Sequence, residues 1–146
     1  MTFATNLKPD AFVKRRLVSG SIWLELDGVS FPGDEWDDFP VVTLGFWLTN
    51  IQPLLLGKST VCECPFMDGP YQFNVEIDNE ICSITLVDRA TDEEEILVRA
   101  NVDFALLVKQ MLSASEIVVD TCKRNHWIDA DLLNLEKLVL DVKPQL

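Results

Sequence analysis

Between residues 71 and 101 apolar and polar positions alternate with a period of two. In YQFNVEI (71–77), Tyr71, Phe73, Val75 and Ile77 share one side and Gln72, Asn74 and Glu76 the other, as in a strand with one buried face. EICSITLVD (80–88) repeats the pattern with Cys82, Ile84 and Leu86, and EILVRAN (95–101) with Ile96, Val98 and Ala100. Asp78-Asn79 and RATDEE (89–94) supply the turns. Links this short make the three strands an antiparallel meander, because a parallel crossover needs far more chain. SIWLELD (21–27) has the same period, with Ile22, Leu24 and Leu26 alternating with Trp23 and Glu25. Trp23, on the outward side, is either covered by a helix or left for a partner. STVCECPF (59–66) adds a further strand before the turn FMDGP (66–70), and FVKRRLV (12–18) reads as a strand with an exposed basic stretch.

Elsewhere the period lengthens to that of a helix. Val41, Leu44, Leu48, Ile51 and Leu55 follow a spacing of three and four, which draws one strongly apolar stripe. The uncharged run 39–57 has the length of a spanning segment, but Thr43, Asn50, Gln52 and Pro53 within it, and DEWDD (34–38) beside it, favour a core helix. Asp37 or Asp38 ahead of Pro40 marks its start, since a carboxylate accepts orphan amides and proline tolerates the first turn. This helix, over 38–52, should end or kink near Pro53. A second helix, over 102–125, carries Phe104, Leu107, Val108, Met111, Ala114, Val118 and Cys122 on one face, with Asn101 as its cap. Asp129 caps a third, over 129–141. Strands near 21–27, 59–65, 71–77, 80–88 and 94–100, with helices mostly after them, define an α+β chain. The expected architecture is one largely antiparallel sheet of about five or six strands with helices packed on one face. No repeat or linker interrupts residues 1–146, which read as a single globular domain.

Charge narrows the function. Against 12 Lys and Arg stand 24 Asp and Glu, a net charge of −12. Such a chain repels nucleic acid and anionic membranes and attracts basic partners. The N-terminal sequence has no apolar core resembling a signal peptide, so the four cysteines are expected as free thiols in a reducing cytoplasm. Cys62, Cys64, Cys82 and Cys122 form no paired zinc spacing, and Cys62 and Cys64 read as half-buried small side chains on one strand face. No metal or cofactor is expected. The single histidine, His126, stands where the long helix should stop, and its plainest role is a helix-terminal cation or cap. Its i, i+4 neighbour Cys122 belongs to the apolar stripe, where burial quietens a thiol. With no phosphate-cradling glycine loop either, the chain is not expected to be an enzyme.

Two acidic segments stand out. DEWDD places Asp34, Glu35, Asp37 and Asp38 around Trp36. The plain reading is a solvated helix entrance. The sharper one is an epitope in which the carboxylates steer a basic partner and the tryptophan anchors it. DEEE (92–95) contributes Asp92, Glu93 and Glu94 as a second contact at a hairpin end, unless it is only a solubilising turn. MDGPY (67–71) has the punctuation of a tight turn entering a strand.

A small acidic chain that carries WDDFPVV (36–42) and later FMDGPY (66–71) resembles the bacterial immunity proteins of contact-dependent growth inhibition and other polymorphic toxin systems. The likeness is one of size, charge and layout over the whole chain. It implies a protein that binds the toxin domain of its own locus, often a nuclease, and blocks it without catalysis. An acidic surface suits that task, because it can occupy a basic phosphate-binding cleft and speed association. Two alternatives stand beside it: a cytoplasmic interaction or assembly module, and a small enzyme with a carboxylate site in a deep pocket.

Overall fold

A computed structural model describes residues 3–90 and 93–146. Its strands are β1 (Phe3–Leu7), β2 (Val13–Lys14), β3 (Val18–Leu26), β4 (Val29–Phe31), β5 (Asp37–Asp38), β6 (Val61–Pro65), β7 (Tyr71–Asp78), β8 (Ile81–Asp88) and β9 (Glu95–Val102). The helices are α1 (Pro40–Leu55), α2 (Phe104–Arg124) and α3 (Ala130–Val142). All strand pairs are antiparallel, and the α+β class expected from the sequence is the one observed.

The expected single sheet is in fact two. One has five strands gathered around β3, which pairs with β1, β2, β4 and β5, and the other has the order β6-β7-β8-β9. The helix between them in sequence, α1, packs against both β3 and β6. β1 lacks a strong sequence signal because Thr5 takes the middle place of its inward register, between Phe3 and Leu7. β4 and β5 are too short to show a period.

The sheets share one core. Phe3 of the first lies 6.5 Å from Phe73 of the second, and Phe31 lies 5.7 Å from Phe66, centroid to centroid. Trp47 of α1 meets Phe73 at 4.9 Å and Phe66 at 5.2 Å, both nearly edge-on. The α1 stripe behaves as its spacing predicts: Val41, Leu44, Leu48 and Ile51 are buried, each such side chain contributing about 1.5–3 kcal/mol. Two side chains of the same helix tie down the edge strand β6, Trp47 Nε1 donating to Pro65 O (2.7 Å) and Asn50 Nδ2 to Glu63 O (2.8 Å).

Local details shift some expectations. α1 ends at Leu55, near Pro53 as expected. β9 continues to Val102, so α2 starts later than expected and its cap is Asp103, not Asn101; the Asp103 carboxylate accepts from Leu106 N at 3.0 Å. Asp129 caps α3 in the same way through Leu132 N, as its position predicts. A register shift opposite Leu86 and Val87 bulges β9, pairing Leu86 with Val98 but Val87 with Ile96. Ile96 is therefore turned out, 62% exposed, where strict alternation had placed it inward.

Candidate functional site

DEWDD folds as a turn, a short strand and a helix entrance. Glu35 adopts a left-handed φ of 53°, which lets the chain double back onto β3. There Ser21 Oγ donates to Glu35 O (3.1 Å) and Ile22 N to Trp36 O (2.9 Å). Asp34 and Asp37 are exposed. The Glu35 carboxylate is exposed as well and forms an ion pair with Lys8.

Asp38 is different. Only 2% exposed, it is the acceptor around which this corner is organised. Its Oδ1 accepts from Phe39 N (2.7 Å) and Thr43 Oγ1 (3.2 Å), and its Oδ2 from Trp36 Nε1 (3.0 Å) and Asp68 N (3.3 Å). Neither proposed helix-start carboxylate caps α1, whose N-cap is Phe39 without a side-chain bond; Asp38 instead accepts from the amide of Phe39 and from the Thr43 hydroxyl. A carboxylate satisfied from four sides is not available to a partner. The outward acidic set therefore excludes Asp38.

Trp36 is half-buried, held by that bond and by Tyr71, whose ring it meets at 5.3 Å and 84°. The turn that presents Tyr71 depends on Gly69, at φ +72°, where an added Cβ would stand 3.1 Å from Tyr71 and 3.3 Å from Trp36.

The same turn leads to the second acidic segment. Tyr71 pairs with Asp88, and the next amide, Arg89 N, donates to Pro70 O at 2.8 Å. The Arg89 guanidinium holds Gln72 Oε1 (2.8 Å) and faces Glu94 (Nε to Oε1, 3.5 Å). Glu93 and Glu94 are exposed, while Asp92 lies outside the described residues. A chain of contacts thus runs from DEWDD through Trp36, Tyr71, Pro70 and Arg89 to Glu94. The sequence reading treated MDGPY only as a turn and so missed Asp68, Tyr71 and Arg89. No sequence signal ties that turn to Trp36, since Phe39, Phe46, Trp47 and Phe66 all stand nearer to it along the chain.

The other candidates are structural. His126 is the residue just past the α2 end, at φ +60°, with His126 N bonded to Lys123 O (3.1 Å) and Trp127 N to Cys122 O (2.8 Å). This is the Schellman closure of a helix, made with histidine where glycine is usual. Cys122 is buried, and burial pushes its thiol up. Burial likewise raises Cys64, and it raises Cys82 to about 11. Cys62, half-buried on the edge strand, is lowered by the hydrogen bond from the Cys64 thiol. Among the described residues no three His, Cys, Asp or Glu side chains are grouped to hold a metal ion. Trp23 is buried rather than left for a partner.

A groove of about 960 Å³ lies beside DEWDD, lined by Val13, Arg15, Arg16, Leu17, Asp37 and Phe39 among others. Asp37 is its single carboxylate and no histidine reaches it. No helix among the described residues is long and apolar enough to cross a membrane. Compared with known proteins, the chain matches no family model, no curated protein and no solved structure.

Proposed function

We propose that this chain is an immunity protein that binds a basic toxin domain and blocks it without catalysis. The docking surface is the end formed by Asp34, Glu35, Trp36, Asp37, Glu93 and Glu94. The supporting observation is the Trp36–Tyr71 contact, which fixes a half-buried aromatic pair beside the exposed carboxylates of Asp34, Glu35 and Asp37. Exposed carboxylates around a fixed aromatic anchor give steering at the rim and a slow-dissociating centre. A nuclease-type toxin, whose cleft must be basic to hold phosphate, fits this surface, and the cytoplasm is where its target lies.

The test is co-expression with the toxin domain encoded nearby, comparing the parent with Asp34→Asn/Glu35→Gln/Asp37→Asn. Asp38 is left intact because it holds the fold. Parent cells should grow and triple-variant cells should die, with the binding difference shrinking as salt rises. A folded triple variant that protects as well as the parent, with unchanged affinity at low salt, would overturn the assignment.

A further inference from the structure

Of the 12 basic side chains, seven stand within ion-pair distance of a carboxylate: Lys8, Lys14, Arg89, Arg99, Lys123, Arg124 and Lys143. Among the described residues Arg15 and Arg16 do not, nor do Lys58, Lys109 and Lys137, but only the two arginines are adjacent in sequence. They sit at the tip of the β2–β3 hairpin, both exposed. The hairpin itself is fixed, because Lys14 beside them faces Asp129 at the α3 cap (3.5 Å). Around the two guanidiniums the surface is apolar: Val13 is 52% exposed, Leu17 is 38% exposed, and both line the large groove with Phe39. Asp37 lies on the same wall.

The geometry points to this groove as a docking site for an extended acidic peptide segment of a partner, one whose carboxylates alternate with apolar side chains. The guanidiniums take the carboxylates, which they match as paired donors. Val13, Leu17 and Phe39 take the apolar side chains. A polyphosphate or nucleic acid fits worse. Its charge is denser, so the net charge of −12 opposes it more strongly than a peptide with a few carboxylates, and it carries no alternating apolar side chains to set against Val13 and Leu17. The site is distinct in sign from the acidic surface next to it and does not depend on the toxin reading. A partner that used both would present alternating charge.

Fluorescence anisotropy with three labelled probes tests this: an acetylated hexapeptide alternating leucine and glutamate, its leucine–lysine counterpart, and a short single-stranded DNA. The acidic peptide should bind, more weakly at higher salt. Arg15→Ala/Arg16→Ala should weaken it by about tenfold or more, because each hydrogen bond to a charged group is worth roughly that factor. Leu17→Ser should weaken it too, separating groove binding from loose ion attraction. Asp34→Asn/Glu35→Gln should not weaken it, whereas the same pair weakens docking at the acidic surface, so failure here and failure of the acidic surface are read apart. No binding of the acidic peptide, equal binding of the lysine peptide or DNA, or indifference to a double-arginine variant that melts like the parent would each overturn the proposal.

Discussion

Asp38 accepts the backbone N–H of Asp68 across 3.3 Å, joining the entrance of α1 to the turn before β7. One buried carboxylate therefore fixes both the helix start and the platform on which Trp36 rests. Removing it should loosen the acidic end as a unit.

Asp38→Ala should destabilise the protein by about 3 kcal/mol, since several buried donors lose a charged acceptor at once. Asp34→Asn and Asp37→Asn, on exposed carboxylates, should stay within about 0.5 kcal/mol of the parent. Urea titration followed by circular dichroism checks both. Equal effects at the three positions would contradict the buried role.

Much of this was legible in the sequence, and the parts that were not share a cause. Val75 and Ile84 face the core because period two admits no other arrangement, and Asp129 caps α3 because a carboxylate before an apolar run has few other uses. Asp38 and Asp37 are adjacent and identical in type, yet one is buried and the other exposed. That choice is made by Asp68 and Thr43, partners that only the folded chain brings near. The Trp36–Tyr71 contact was hidden for the same reason. Pairing inside a period is local information, while the partner of a loop side chain is not.

His126→Gly should stabilise the protein by about 1 kcal/mol, because a left-handed residue at a helix end costs least as glycine. In a chain of this size that is a rise of about 3 °C in Tm, measurable by calorimetry. A fall would mean that the imidazole makes a contact worth more than the strain.

Thiol chemistry should be selective. With iodoacetamide at neutral pH, the folded protein should be labelled first at Cys62, the half-buried thiol that Cys64 makes more acidic. Cys64→Ala should slow that labelling by removing the donor. Peptide mapping after brief exposure reads the order, and early label on Cys82 or Cys122 would contradict it.

Alkali should act through the buried thiols. Cys82 ionises near 9.0 when unfolded and is raised, chiefly by burial, to about 11 when folded. Below the unfolded value both states are protonated and stability is intact. Through the window up to about 11 the unfolded chain ionises first, so stability falls as pH rises. The urea midpoint should drop across that window, and Cys82→Val should make the drop shallower, with Cys64 and Cys122 accounting for the remainder.

β9 closes the second sheet with one flank of its backbone unshared by any described strand, the arrangement from which neighbouring molecules build fibres. The bulge at Leu97 interrupts that flank, and Glu95 and Arg99 charge it on either side. A concentrated stock of this protein should stay clear on storage. Deleting Leu97, which straightens the strand, should turn the same stock cloudy, with light scattering as the measure.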